Sequence, residues 1–340
     1  MLGNPSDGFH GKTLASLIAN FCAQVWLEAS DALCIAPDGR RGAMTWASLD
    51  ELRSRVQHAG YPEEAPLLLA TCKMFVDVCE SRGIRLPPRN FTIGYSTSIP
   101  LQVGLAGSSA IVVGALQAMM EFYGVGSGDI PQAQQPSVAL AVESEELGVP
   151  AGLQVRVTQV YGGLVYMDFD REYMARWGHG RYEKLDLALL PPLYLAYDKA
   201  GVASGSIHGP VRALWARGDQ EVVATMSALA QLAERGKGAL LSGDHEEFGR
   251  LMDQNFDTRL ALYGEEALGA RNLRMIRTGR SLGLPAKFAG SGGAVIGLCP
   301  SERQAETIQR FAEEGFECCV VNPVEIVLPP GNGSRCHPSS

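Results

Sequence analysis

Two serines at the end of a glycine-rich turn are the residues of this chain best arranged for chemistry. They lie in "PLQVGLAGSSAIVVGAL", residues 100–116, where the turn runs into an almost wholly apolar stretch. Gly104 and Gly107 let a backbone turn tightly and approach a ligand with no Cβ in the way. Ser108 and Ser109 then open a helix, whose first amide N–H groups point outward and carry partial positive charge. Such amides form a nest for an anion, phosphate above all, and a serine hydroxyl at that place can ligate Mg2+. The same pattern also suits a plain helix N-cap after a turn, because serine is a favoured cap.

The elements around the turn must hold it in place. "FTIGYSTSIP" reads as a strand ending at Pro100, and 108–123 as a helix interrupted only by Gln117 and Glu121, hence buried, with Met119 and Met120 as core filler. Upstream, 14–28 reads as a strand, and 66–82 as a helix with Pro66 at its start. Downstream, "GVGSGDIPQAQQP" is a loop, 137–147 a helix and "VRVTQVYGGLVYMDF" one or two strands. A polar segment, 170–190, ends at Pro191 and Pro192, the best candidate domain boundary. Beyond it come a strand "LYLAYD", two or three long helices between 210 and 283, and a strand "AKFAG". A "GSGG" turn, a strand "AVIGLCP", a helix over 301–314 and a strand "ECCVVNP" complete the pattern, which contains no internal repeat.

With 340 residues the chain is long enough for two domains, and 46% apolar with 19% charged residues is ordinary for a globular protein. The net charge of −8, with no cluster of lysine and arginine, argues against nucleic acid as a partner. No apolar run is long enough for a bilayer, and "MLGNPSDGFHGKT" is no secretory signal, so no membrane partner and a cytoplasmic location are expected. The eight cysteines form no C-x-x-C pair and read as reduced thiols. Two near-motifs fail. "SDGFHGKT" has Ser6 where a P-loop needs glycine and no strand before it. "GSGGAVIG" has Val295 where a dinucleotide fingerprint needs glycine, and it precedes a strand.

Three glycine-containing stretches stand in order: "GNPSDG" at 3–8, "PLQVGLAGSSA" at 100–110 and "KFAGSGGAV" at 287–295. In this order they resemble the three motifs of the GHMP small-molecule kinases, among them galactokinase, homoserine kinase and mevalonate kinase. "LGNPSDGFHGKT", "IPLQVGLAGSSAIVVGAL", "ELGVPAGLQVRVTQVYGGLVYMDF" and "PAKFAGSGGAV" are similar to the plant and algal glucuronokinases in particular, from residue 2 to about residue 328. The resemblance implies an α+β, two-domain fold, with a ribosomal-S5-like ATP-binding domain over 1–190, a ferredoxin-like domain over 191–329 and a disordered tail at 330–340. It implies transfer of the ATP γ-phosphate to a sugar hydroxyl, the anomeric one of D-glucuronate for the nearest relatives. Gly104, Leu105, Ala106, Gly107, Ser108, Ser109 and Ala110 would bracket the phosphates. Ser109 and Glu143 would ligate Mg2+, an ion suited to few protein ligands. Asp7 would accept hydrogen bonds from sugar hydroxyls, although its neighbours equally favour an Asx turn.

Other candidates are open to two readings. Lys12 could meet a phosphate or a sugar carboxylate, or simply face water. Arg156 could grip a sugar carboxylate with its fork geometry, or be a surface strand arginine. Gly290 and Gly292 could shape the acceptor site or serve a hairpin turn. A uronate needs a cation near C6, and Lys12, Arg156, Arg212 and Lys287 are the nominees. Glu145 and Glu146 read as a solvated helix face.

Two departures from the family pattern stand out. Members read "G-L-Q-D-R-V", the acid acting on the hydroxyl to be phosphorylated; this chain reads "GLQVRV", with Val155 in that place. Loss of a positioned acid–base group costs about 10²–10⁴ in rate. The expectation is a weakened kinase, a substitute group, or an inactive nucleotide- or sugar-binding relative; a kinase for another sugar is the alternative among enzymes. Members also carry a strand before "LGNPSDG" where this sequence starts at Met1, so an open sheet edge and poor solubility without upstream residues are expected.

Overall fold

The computed structural model describes residues 1–36, 43–201 and 208–326; the expected tail at 330–340 lies outside them. A 3-10 turn, Ser6–Phe9, leads into β1 (Lys12–Ser16). The stretch 14–28 is not one strand: the chain breaks after β1, and β2 (Ala23–Ser30) joins a different sheet. β3 (Leu33–Ile35), β4 (Met44–Trp46) and α1 (Leu49–Ala59) follow, none of which the sequence patterns had marked. α2 (Pro66–Ser81) has its proline in the first turn, where no N–H is needed. β5 (Asn90–Thr97) feeds the glycine turn and α3 (Gly107–Tyr123), whose Ile111, Val112, Leu116 and Met119 are buried and whose Glu121 faces water.

α4 (Gln135–Ala141) runs into a single π-helical turn, Val142–Glu146. The largest departure comes next. "LQVRVTQVY" is a helix, α5 (Leu153–Tyr161), and only β6 (Leu164–Asp168) is extended. Val155 and Val157 alternate as in a strand, but Leu153, Val157 and Val160 fall at helical spacing, and these three are buried. Packing of that face outweighs the strand preference of its valines. The polar segment holds α6 (Arg171–Trp177), capped by Asp170, and β7 (Arg181–Leu185).

The second half contains β8 (Leu193–Tyr197), α7 (His208–Ala216), α8 (Gln220–Ser242), α9 (His245–Leu268) and α10 (Ala270–Ser281). β9 (Lys287–Phe288), β10 (Ala294–Leu298), α11 (Gln304–Glu313) and β11 (Glu317–Val320) close it. The order β11-β8-β10-β9, all antiparallel, with helices between β8 and β9 and between β10 and β11, is the ferredoxin-like arrangement. The first half carries the sheets β2-β5-β3-β4 and β1-β6-β7, giving the α+β class expected.

One core packs α1, α2 and α3 on the β2-β5-β3-β4 sheet around Phe75, Phe91 and Met119. A second joins Leu14 and Leu164 to Leu195, Leu232 and Phe248, so apolar side chains from both sides of Pro191–Pro192 pack together. A third lies between β8, β10 and helices α9 to α11. Among the described residues, no helix is long and apolar enough to cross a membrane.

Candidate active site

The glycine turn is held by backbone meeting backbone. Gly104 has φ +74°, and a Cβ there would lie 2.0 Å from the Gly292 carbonyl oxygen. The other left-handed positions of the turn are Gln102, at φ 57°, and Ala106, at φ 61°, rather than Gly107, which simply begins α3. Gly104→Ala is expected to force the two turns apart, costing about 1–3 kcal/mol from strain alone and weakening nucleotide binding. Melting temperature and titration with a fluorescent nucleotide check both effects.

The amides of 104–109 open onto a cavity of about 610 Å³. Ala110 does not line it. The serines divide their tasks. Ser109 is buried and its hydroxyl donates to the Ala106 carbonyl at 3.0 Å. Ser108 donates at 2.7 Å to Oε1 of Glu143. The hydroxyl beside Glu143 is therefore that of Ser108, while Ser109 is turned into its own helix start.

Glu143 is only 2% exposed because the π-helical turn aims it inward, a common use of such turns. Its Oε2 accepts from Arg156 Nη2, and Arg156 Nη1 donates to the Gly152 carbonyl at 2.7 Å. Arg156 is thus a buried helix residue engaged with a carboxylate. Its whole charge is not free for a sugar carboxylate, as a strand position at the surface would have left it. Glu145 is exposed as expected, whereas Glu146 is half-buried against Lys73 at 2.5 Å. Ser108 and Glu143 offer two oxygen donors and one charge. That set fits Mg2+, which keeps waters and takes phosphate oxygens, and does not fit a zinc site. Among the described residues, no group of three or more metal-ligating side chains gathers anywhere.

Asp7 comes to the site from the Ser6–Phe9 turn. Its Oδ2 accepts from the Gln154 amide at 3.2 Å, capping α5 from another part of the chain. Gly152 makes room, because a Cβ there would lie 2.3 Å from Oδ2. Burial raises the Asp7 pKa above the usual carboxylate range, against the opposing pull of the Gln154 and Gly8 amides and of Arg156 and Arg212. Val155, next to Gln154, lines the same cavity and brings no polar group to it.

The three glycine-containing stretches are tied together behind the cavity. Lys287 is fully buried, and its Nζ donates to Asn4 Oδ1 at 2.7 Å and to the Phe288 carbonyl at 2.6 Å. Asn4 donates to the Gly290 carbonyl at 3.2 Å, and Arg259 Nη1 to the same oxygen at 2.8 Å. Burial pushes the Arg259 pKa down to about 10. Gly290 lines the cavity; Gly292 lies behind it against Gly104. Lys12 does not line this cavity; its Nζ is drawn to Glu234 of α8 at 2.7 Å. Arg212 does line it. Sequence reasoning had not singled out Asn4, Gln154, Arg259, or Asn255 of α9, whose Oδ1 accepts from the Gly3 amide at 2.8 Å. A lone arginine or asparagine on a long helix carries no local signal of burial.

A family model described as "GHMP kinases N terminal domain" matches residues 69–163, and one described as "GHMP kinases C terminal" matches 237–318. Glucuronokinase 1 of Arabidopsis thaliana is 46% identical over 299 residues, 88% of this chain and 82% of that protein. Probable glucuronokinase 2 of the same plant is 44% identical over 329 residues, 96% of this chain and 88% of that protein. Among solved structures, Lactococcus lactis galactokinase complexed with galactose superposes with a TM-score of 0.75 at 13% identity, covering 95% of this chain and 91% of that one. Methanococcus jannaschii mevalonate kinase gives 0.71 at 18% identity, covering 95% of each. At such low identity, the last two establish the two-domain fold alone.

Proposed function

Because the chain belongs to the GHMP kinases, phosphotransferases that act on an alcohol group, we propose that it phosphorylates D-glucuronate at the anomeric hydroxyl with ATP as donor. The observation that carries this reading is the meeting of three groups in one cavity: the α3 N-terminus, the Ser108–Glu143 pair and the Asp7 carboxylate.

The donor phosphates would lie against the amides of 104–109, since phosphoryl transfer asks mainly for positioning and for donors to the charge on the moving group. Ser108 and Glu143 would hold Mg2+, which supplies neutralising charge to the phosphate oxygens. Arg156 fixes the orientation of Glu143 through Oε2. In the transfer, a bond forms between the acceptor oxygen and the γ-phosphorus. The bond from that phosphorus to the ADP oxygen breaks, and the acceptor proton goes to Asp7. Val155 cannot take that proton. Asp7 reaches the same first turn of α5 through the Gln154 amide, and its raised pKa makes it a stronger base than an ordinary carboxylate.

Val155 favours a second reading, a protein that binds nucleotide and sugar without turnover. The test is ADP release from Mg-ATP over a panel of glucuronate, galactose, fucose, arabinose and a heptose phosphate, with Val155→Asp in parallel. The expected result is turnover of glucuronate by the wild type with little change in kcat in the variant, because Asp7 already takes the proton. A wild type that binds ATP, turns over no sugar and is restored by Val155→Asp supports the second reading. A variant that leaves a working enzyme unchanged shows that position 155 is not where the acid acts.

A further inference from the structure

A second cavity, of about 350 Å³, opens beside the first and shares Asp7, Gly8, Phe9 and Arg212 with it. Its size falls within the range of about 300–1,000 Å³ usual for small-molecule sites. Two short elements supply its distinctive groups. The Ser6–Phe9 turn gives Asp7 and Phe9; α7 gives Arg212 and Trp215, three residues apart and so on one helix face. Phe9 and Trp215 meet edge to face, with ring centroids 5.7 Å apart. An aromatic pair beside a carboxylate gives an apolar patch for a sugar ring and an acceptor for its hydroxyls.

Two guanidinium groups line these cavities. Arg156 is engaged with Glu143 and the Gly152 carbonyl. Arg212 differs: it is exposed at the cavity mouth and among the described residues gives one hydrogen bond, from Nη2 to the Ala151 carbonyl at 3.1 Å. Among the described residues no carboxylate forms an ion pair with it, although Asp7 lies near enough to feel its charge. Of the other nominated cations, Lys12 is held by Glu234 and Lys287 is sealed behind Asn4. Arg212 also lies close to Asp7: a Cβ on Gly8, the next residue, would sit 3.5 Å from Arg212 Nη2.

That closeness suits the chemistry of a uronate. In its pyranose ring the carboxylate-bearing carbon and the anomeric carbon both adjoin the ring oxygen. The groups that receive the carboxylate and the reacting hydroxyl must therefore be neighbours. We propose that Arg212 is the residue that selects a sugar acid, pairing with the acceptor's carboxylate while the ring lies against Phe9 and Trp215 and its anomeric hydroxyl faces Asp7. The inference rests on the acceptor reading above and adds to it the source of selectivity. Arginine suits this task because its planar fork can meet both carboxylate oxygens.

The test is calorimetric titration of the full-length protein with glucuronate and with glucuronamide, its neutral counterpart, in the wild type, Arg212→Ala and Arg212→Lys. Hydrogen bonds to a charged group are worth about 1.5–3 kcal/mol, so Arg212→Ala should weaken glucuronate binding by about 10- to 100-fold. Glucuronamide binding should change by less than about threefold, and Arg212→Lys should recover part of the loss. Because Arg212 is exposed, the melting temperature should hold and exclude misfolding. A folded Arg212→Ala protein that keeps its wild-type preference for glucuronate over glucuronamide overturns the role of Arg212 and leaves the acceptor reading standing. A wild type that binds glucuronate no better than glucuronamide overturns this inference, and one that binds neither overturns the acceptor reading as well.

Discussion

Asp7→Asn is expected to lower kcat for the sugar acceptor by about 10²–10⁴-fold, the usual loss when a positioned acid–base group is removed. The amide keeps the shape and one acceptor oxygen, so the cap on the Gln154 amide survives. What it loses is the ability to take a proton. The same substitution should raise the melting temperature at neutral pH. Burial raises the Asp7 pKa, so the folded chain holds this proton to higher pH than the unfolded chain does. Well below the ordinary carboxylate value both states are protonated and there is no difference. As pH rises from there through the raised value, the unfolded state gives up the proton first and stability falls. At neutral pH the ionised Asp7 is therefore a cost to the fold, which asparagine relieves. In the wild type, the acid limb of kcat against pH should lie above that of an ordinary carboxylate, and Asp7→Asn should flatten it. A variant that loses activity and stability together would make Asp7 a structural residue and return the question of the base to position 155.

Glu143→Ala should lower both activity and stability. Glu143 and Arg156 are buried partners, 2% and 5% exposed, and removing one leaves the other charge in a low-dielectric site without compensation. Such losses run to about 3–5 kcal/mol, readable by chemical denaturation. Phosphoryl transfer should fall by about 10²–10³-fold, the range for loss of one electrostatic stabiliser. The double variant Glu143→Gln with Arg156→Met separates the two roles. It removes both charges and should regain most of the stability, because an apolar replacement of a buried pair is often neutral. It should not regain the Mg2+ dependence of nucleotide affinity. Recovery of activity in the double variant would reduce Glu143 to a counter-ion for Arg156.

Much of the scaffold around the site was legible because its signals are local. The apolar run after Ser109, the glycine turn before it and Pro66 at the start of α2 each act over a few residues, and the structure has them where the sequence put them. The misreading at 153–161 has the same root. Leu153, Val155 and Val157 alternate as in a strand while Leu153, Val157 and Val160 repeat as in a helix, and only the neighbours packed on the latter three choose between the two. β3 and β4 are three residues long, too short for any periodicity to appear, whereas α1 does carry local signals, the Ser48 cap and Leu49, Leu52 and Val56 at helical spacing.

The sequence alone determined the motif order, the two-domain α+β class and the presence of a phosphate-shaped turn. The turn follows from backbone rules that act over a few residues, where amides lack partners and where apolar residues repeat; the two-domain α+β class is what the likeness of the three motifs to the GHMP kinases implies. The tertiary structure decided which side chain meets which. It turned Ser109 inward and Ser108 toward Glu143, gave Arg156 to that carboxylate, drew Lys12 to α8 and tied Lys287 to Asn4, 283 residues away. A titratable group takes its partner from whatever folding brings within about 3 Å and from how much water is excluded there. Spacing along the chain carries neither quantity, so the chemistry of a site is fixed only when the chain closes around it.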